Sequence, residues 1–547
     1  MRTSSGLSLS LGLCFVASLS ANAGLLPERV EKAVQDRIAA GIYETLIFGV
    51  VDGDRSEIAA FGKFADGTAP DGDIVYEIGS VTKTFTATLL ARAVLSGRVT
   101  LDTPVAQLVT DFKIPSRGGR EITLGDLATH RSGLPRLPLN MLPKDPANPF
   151  AGYDAAKLKA FLARYELPRD PGAAFEYSDA GFGLLGHALA QLENATYGAA
   201  THEIILKPLG MTMSGTASTD ALRAHLAPGH DSADKAAPNW DIPGLAGTGA
   251  IRSTARDMLR YLKANMGIDP SPLTTAMKLA QQPRGDMNRT TRIGLAWRIS
   301  DKGIIWHPGM TWGYRSFLGF TSDGRRGVVI LSNTAADADD LGFAALVADA
   351  PLAPAYEAII LPRESLGDYE GTYRLADKLL LTVFRVSDGL FARATGQDAF
   401  PILPSAPNEF FGKAFGIGIS FTRDASGGVN GLVLHQNGDH AALKLSESEL
   451  PPELRETALD AAVLDEYVGK YLASFGVLEV ALKGERLEAQ ITGQPAFQIF
   501  AGAKDKFFYK IVDAQLHFER DAGGEVAAVV LLQNGGHIRA PRMPAKP

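Results

Sequence analysis

The sequence predicts an N-terminal α/β unit with a helix-rich insert, followed by two small all-β units. Three observations carry this. Strand and helix signals alternate from Leu25 through the segment around Ser80, and strands return after about residue 290. Between them, from Asp102 to about Gly247, the chain is rich in helix and loop signals, with prolines at Pro135, Pro138, Pro143, Pro146 and Pro149. The last third is an internal duplication, residues 366–445 against 464–543. A length of 547 residues accommodates several domains, and a formal net charge of −7 excludes both a basic nucleic-acid surface and a charge-driven disordered chain.

The elements follow in order. Arg2, the apolar stretch Leu7 to Leu19 and the small-residue site Ala21-Asn22-Ala23 read as a signal peptide over residues 1–23, cleaved after Ala23. Cys14, the one cysteine, lies inside it, and the bulky Leu13 before it disfavours a lipoprotein site. The mature chain then has no cysteine, which excludes disulfides, thiol catalysis and cysteine-ligated zinc together. Leu26 to Gly41 reads as an amphipathic helix. Thr45 to Val51 and Ser56 to Lys63 read as a strand pair around Asp52-Gly53-Asp54. A strand from Ile74 to Ile78 passes through Gly79 into a helix from Val81 to Ser96. Gly294 to Trp297, Ile304 to Trp306 and Gly327 to Asn333 read as strands. No later segment is long and apolar enough to cross a bilayer.

The duplicated units share their landmarks. Asp368-Tyr369-Glu370-Gly371-Thr372-Tyr373 matches Glu466-Tyr467-Val468-Gly469-Lys470-Tyr471, and Thr395-Gly396-Gln397 matches Thr492-Gly493-Gln494. Phe421, Arg423 and Asp424 match Phe518, Arg520 and Asp521, and Gln436-Asn437-Gly438 matches Gln533-Asn534-Gly535, at a spacing of about 97 residues. Tight turns such as Ser387-Asp388-Gly389 and Lys483-Gly484-Glu485 join short strands, and each copy is long enough for a small antiparallel barrel. The domains are therefore 24–350, a linker 351–365, a barrel 366–445, a linker 446–463 holding Pro451-Pro452, and a barrel 464–543.

The chemistry is concentrated in Ser80-Val81-Thr82-Lys83. The strand-to-helix passage puts Ser80 at a helix N-terminus among unpaired backbone N–H groups, and Lys83, three residues on, shares its helix face. A serine hydroxyl is a weak nucleophile until a neighbour takes its proton, and an adjacent amine can do so. A second such pair, Ser232-Ala233-Asp234-Lys235, lies in a polar stretch with no strand before it and reads as chance. The block Tyr76-Glu77-Ile78-Gly79-Ser80-Val81-Thr82-Lys83-Thr84-Phe85 resembles the nucleophile segment of the serine β-lactamase and penicillin-binding protein superfamily, most of all its class C branch with the DD-peptidase and D-aminopeptidase relatives. Thr82 stands where many class C enzymes carry a smaller residue. The resemblance spans roughly residues 25–350 and implies a β-lactamase-like α+β fold, an antiparallel sheet flanked by helices with a helical subdomain. The C-terminal units resemble lipocalin-like barrels appended to some D-aminopeptidase-type hydrolases.

The superfamily's Tyr-x-Asn loop is matched by Tyr177-Ser178-Asp179, with Tyr177 implied as a proton shuttle. Asp179 departs from the pattern. An ionised carboxylate only accepts hydrogen bonds, so it either pairs with Lys83, leaving Tyr177 as the base, or receives a donor on the substrate. The third motif is matched by His307-Pro308-Gly309. There His307 bears a positive charge at mildly acid pH and supports proton transfer at Tyr177. Pro308 removes a hydroxyl and an N–H and marks an edge strand, and Gly309 admits the substrate backbone. The resemblance places the oxyanion hole at the N–H groups of Ser80 and Met310. His130-Arg131-Ser132-Gly133-Leu134 and Ser253 to Met258 read as structural.

The resulting expectation is a periplasmic or secreted bacterial serine hydrolase working through an acyl-enzyme on amide bonds. Its substrates would be D-amino-acid peptides, peptidoglycan stems or β-lactams. Two alternatives stand beside it: a carboxylesterase on small acyl esters, and a non-catalytic protein that binds cell-wall fragments. No Gly-x-Ser-x-Gly elbow is present. No cofactor, metal or nucleic-acid partner is implied. The partners are a small-molecule or peptide substrate, with cell-wall fragments as a further candidate.

Overall fold

The computed structural model describes residues 24–544 apart from 142–147, 218, 377–378, 387–388, 396, 398, 437, 452–453, 474–475, 492–495, 511, 513 and 534–535. The signal peptide with Cys14, Pro143 and Pro146, the turn at Ser387-Asp388, and parts of the repeated Thr-Gly-Gln and Gln-Asn-Gly landmarks lie outside the described residues.

The strand Thr45–Asp52 is buried along nearly its whole length because both faces of the sheet are covered. Its alternate residues divide between two cores. Leu46, Phe48 and Val50 pack with Val30 and Val34 of the helix Glu28–Ala39 and with Leu341 and Ala345 of the helix Asp339–Leu346. Ile47 and Val51 face the other way, toward Met258 and Leu262 of the helix Ala255–Met266. A two-residue turn with Gly53 at φ 62° joins this strand to Arg55–Gly62. The sheet has eight antiparallel strands, in the spatial order Arg55–Gly62, Thr45–Asp52, Arg326–Ser332, Arg315–Thr321, Ile304–Met310, Arg298–Ser300, Thr291–Ile293 and Gly285–Asp286.

One expected strand is not there. Residues 294–297 connect Thr291–Ile293 to Arg298–Ser300, with Ala296 at φ 64°. Leu295, Ala296 and Trp297 are apolar because the connection is buried, not because it is extended. Its amides go to helix ends, Leu295 N–H to the Ala280 carbonyl at 2.8 Å and Ala296 N–H to the Ala128 carbonyl at 2.9 Å. Tertiary contacts override the local strand signal at this point.

The helical subdomain is built on Thr82–Leu95, buried almost throughout. Against it pack the helix Asp179–Leu192 and the short helix Ala246–Gly249, where a methyl on Gly186 would lie 2.8 Å from Gly247 Cα. The C-terminal strands form two eight-stranded units. The first, Gly371–Ala376 to Asp439–Lys444, closes into a barrel. The second runs from Gly469–Ala473 to Gly536–Pro541 and is drawn together by a bridge between Tyr471 and Arg542. The repeated residues make repeated contacts. Tyr373 and Tyr471 each donate to the carbonyl four residues back, of Tyr369 and Tyr467, at 2.7 Å. Arg423 and Arg520 lie over the rings of those same two tyrosines, at 5.5 and 5.7 Å. Tyr373, Leu381, Val383, Phe400 and Phe421 fill the first barrel, and Tyr471, Val480, Leu487, Phe507 and Phe518 the second. Among the described residues no helix is long and apolar enough to cross a membrane.

Candidate active site

The nucleophile segment leaves the strand Val75–Glu77, turns at Gly79 (φ 47°) and enters Thr82–Leu95 through a single 3₁₀ turn, Gly79–Val81. This turn leaves Ser80 half-exposed while Lys83 is fully buried one turn on. Gly79 is required here twice over, by its positive φ and because a methyl would lie 2.7 Å from the Met310 nitrogen. The strand Ile304–Met310 thus runs directly against the nucleophile turn.

Ser80 Oγ accepts hydrogen bonds from Lys83 Nζ at 2.9 Å and from the Tyr177 hydroxyl at 2.7 Å. Lys83 also donates to Asp179 Oδ1 at 2.7 Å and to the Thr248 carbonyl at 2.9 Å. An ammonium group has three N–H donors, and these three acceptors use them all. Thr248 Oγ1 donates to the same carboxylate oxygen at 2.6 Å. Burial by itself raises the Asp179 pKa. The charges of Lys83 and Arg136, with the two side-chain hydrogen bonds, outweigh burial and leave its pKa below 3.8. Asp179 therefore faces Lys83, the first of its two expected roles.

Tyr177 is set by what precedes and follows it. Ser178 caps the helix Asp179–Leu192 through its hydroxyl, 2.8 Å from the Gly181 N–H. The same hydroxyl donates to the Pro135 carbonyl at 2.7 Å. His130, at φ 57°, stacks on the Tyr177 ring at 4.4 Å and accepts the Ser178 N–H on Nδ1 at 3.0 Å. The segment 130–134, read as merely structural in the sequence, thus supplies the platform beneath the phenol. The positive φ and ring stacking of His130 leave no periodic trace that sequence reading could detect.

His307 lies on the far side of Tyr177, ring centres 6.5 Å apart. Its Nδ1 sits 2.6 Å from the Pro308 carbonyl oxygen, so that nitrogen carries the proton and Nε2 presents a lone pair. The expectation of a positive charge at mildly acid pH is corrected. Burial, then the nearby Arg298 and Lys83 charges, hold the His307 pKa well below 6.5, and the ring is neutral. Pro308 marks an edge only locally. The strand pairs with Arg315–Thr321 along its length but with Arg298–Ser300 only at Ile305 and Trp306, so its other side is open from His307 onward. Gly309 has a packing reason of its own. A methyl there would overlap the Ile78 carbonyl oxygen and Ser316 Oγ, so the glycine serves the strand's approach to the nucleophile turn. Ser316 Oγ, 2.8 Å from that carbonyl, fastens the same contact.

Sequence reasoning missed Thr248, His130 and Arg298. Arg298 opens its strand half-buried, and its charge acts on both Tyr177 and His307. It has no hydrogen-bond or ion-pair partner among the described residues. Burial lowers its pKa below the usual guanidinium value, countered by Tyr177 and Asp339.

Comparison with known proteins identifies the family. The family model described as Beta-lactamase matches residues 30–350, more than half of the chain, and a domain of unknown function matches residues 454–537, over the second barrel. Penicillin-binding protein 4 of Amycolatopsis lactamdurans is 29% identical over 298 residues, covering 49% of this chain and 74% of the relative. The D-alanyl-D-alanine-carboxypeptidase/endopeptidase AmpH of Escherichia coli K12 is 30% identical over 224 residues, covering 40% of this chain and 57% of the relative. The crystal structure of a class C β-lactamase from Rhodobacter sphaeroides superposes with a TM-score of 0.50 at 25% identity, covering 56% of this chain and 94% of that one. By this match over more than half its length, the chain belongs to the β-lactamase family and is a serine hydrolase acting on amides.

Proposed function

We propose that this enzyme hydrolyses the terminal amide bond of peptides ending in a D-amino acid, in the manner of a DD-carboxypeptidase acting on peptidoglycan stems outside the cytoplasm. Arg298 carries the choice of substrate. It is a half-buried cation with no hydrogen-bond or ion-pair partner among the described residues, beside Tyr177 and His307, at the open side of the strand end. A guanidinium so placed is matched by a carboxylate on the substrate. The motif itself has lost the hydroxyl that Pro308 replaces. A β-lactam carboxylate shares this chemistry, and the family relationship keeps such compounds as candidate inhibitors.

In this reading the Tyr177 hydroxyl first gives its own proton to solvent, and the resulting phenolate oxygen takes the Ser80 proton as Oγ attacks the carbonyl. Lys83, tied to Asp179 and Thr248, donates to Oγ and holds it in line. The N–H groups of Ser80 and Met310 receive the oxyanion. Tyr177 returns the proton to the leaving amine, and water then enters by the reverse of the same steps. Neutral His307 keeps an unpartnered Nε2 and adds no charge of its own.

The test compares a D-alanyl-D-alanine peptide with its C-terminal amide. Arg298→Gln raises KM for the free acid about tenfold or more, the value of one charge-assisted contact, and leaves the amide unchanged. Equal loss on both substrates, or preference for p-nitrophenyl esters over the peptide acid in the wild type, contradicts the proposal.

A further inference from the structure

We infer that the tip of the first barrel, residues 413–416, braces the turn 310–315 that presents the Met310 amide, and that Lys413 is its positioning residue. The inference rests on the assignment of that amide to the oxyanion site.

Two struts converge on the turn. The first runs through Asp337. Its N–H donates to the Lys413 carbonyl at 3.0 Å, and a methyl on Gly416 (φ 58°) would lie 2.8 Å from its carboxylate. Asp337 is ion-paired with Arg315, which also reaches Asp339 at 2.8 Å. Arg315 stands opposite Met310 in the strand register, its guanidinium 3.8 Å from the Met310 sulfur. The second strut runs through the hairpin formed by Gly229–His230 and Ala236–Ala237. Lys413 Nζ donates to Asp234 in the hairpin tip at 3.0 Å and to the Gly41 carbonyl at 2.9 Å. The hairpin lies flat on the turn. A methyl on Gly313 would be 2.8 Å from Ala237 Cβ, one on Gly229 would be 2.8 Å from the Tyr314 ring, and the His230 N–H meets the Gly313 carbonyl at 3.3 Å.

Lys413 is only 8% exposed. A buried ammonium without its acceptors is costly, so the barrel tip and the hairpin tip hold each other in one arrangement. The coupling is a chain of direct contacts from barrel to turn. The equivalent lysine of the second copy, Lys510, spends its charge on Glu456 and the Phe500 ring, so the brace belongs to the first barrel.

The experiment uses the full chain with Lys413→Met, Lys413→Arg and Asp234→Asn. It reads hydrogen exchange over 308–316 and over 82–95, and labelling of Ser80 by a fluorophosphonate, separated into kinact and KI. Lys413→Met accelerates exchange in 308–316 and lowers kinact, each about tenfold, with KI and 82–95 unchanged, because a small displacement of an oxyanion donor weakens only the transition state. Lys413→Arg restores both readouts, and Asp234→Asn, which alters a half-exposed carboxylate, moves both the same way. Unchanged exchange in 308–316, equal acceleration in both segments, or a loss confined to KI overturns the brace. Absence of labelling in the wild type would instead overturn the nucleophile assignment, while the exchange data still decide the brace.

Discussion

Ser80 Oγ has two neighbours within hydrogen-bond reach, Lys83 and Tyr177, and in the proposed mechanism Asp179 decides which of them takes its proton. Lys83 spends its three donors on Ser80, Asp179 and Thr248, and in the proposed mechanism the Tyr177 oxygen, 2.7 Å from Oγ, acts as the base once its own proton has left. Buried groups around this pair make stability depend on pH with a definite sign. The Asp179 pKa is depressed, so its contribution is complete above 3.8 and is lost as pH falls through the lower folded value. His130 and His307 are held well below 6.5 by burial. Below 6.5 the unfolded chain therefore binds protons that the native one does not, and each such histidine costs up to about 1.4 kcal/mol per pH unit. Urea midpoints measured from pH 8 to 3 fall below 6.5. His307→Gln flattens the upper part of that fall, and Asp179→Asn flattens the part below 3.8. A wild-type midpoint constant from pH 7 to 5 would show a charged His307 instead. That Ser80 and Lys83 share a helix face was legible from their spacing, and that Tyr177 and Asp179 meet them was legible only through the resemblance of their segment to the family's second motif. The state of His307 was not, because it depends on Arg298, Lys83 and burial, none of which a motif encodes.

At the scale of elements, the site depends on one strand end meeting one turn. Ile304–Met310 reaches Gly79 only because Gly309 has no side chain toward Ile78 and Ser316. Gly309→Ala is expected to destabilise the protein by about 1–3 kcal/mol, as overpacking does, and to lower kcat about 10²-fold through displacement of the Met310 amide. Denaturant unfolding and steady-state rates check this, and a variant with wild-type kcat would remove Met310 from the oxyanion site. Strand and helix existence was readable in sequence from apolar alternation and from the Gly79 and Asp52-Gly53-Asp54 turns. The connection 294–297 was not, because a buried turn and a buried strand share the same apolar composition. The function of the 130–134 segment was hidden likewise, since it is exercised through contact with Tyr177 across the fold.

At the scale of the molecule, the duplication was fully visible as repeated tyrosine, arginine and Gln-Asn-Gly positions. The structure gives the first two a common purpose, a tyrosine hydrogen-bonded four residues back beneath an arginine. Which copy docks on the catalytic unit was not visible, because Lys413 and Lys510 occupy matching places and differ only in their surroundings. The account as a whole turns on a covalent intermediate at Ser80. Rapid acid quench of the full chain with a D-alanyl-D-alanine peptide, followed by peptide mass mapping, tests it most directly. The account predicts an adduct equal to the peptidyl acyl group on the fragment containing Ser80, formed together with an equimolar burst of free D-alanine and absent from Ser80→Ala. Peptide turnover by Ser80→Ala, or an acyl group found on any other residue, would contradict it.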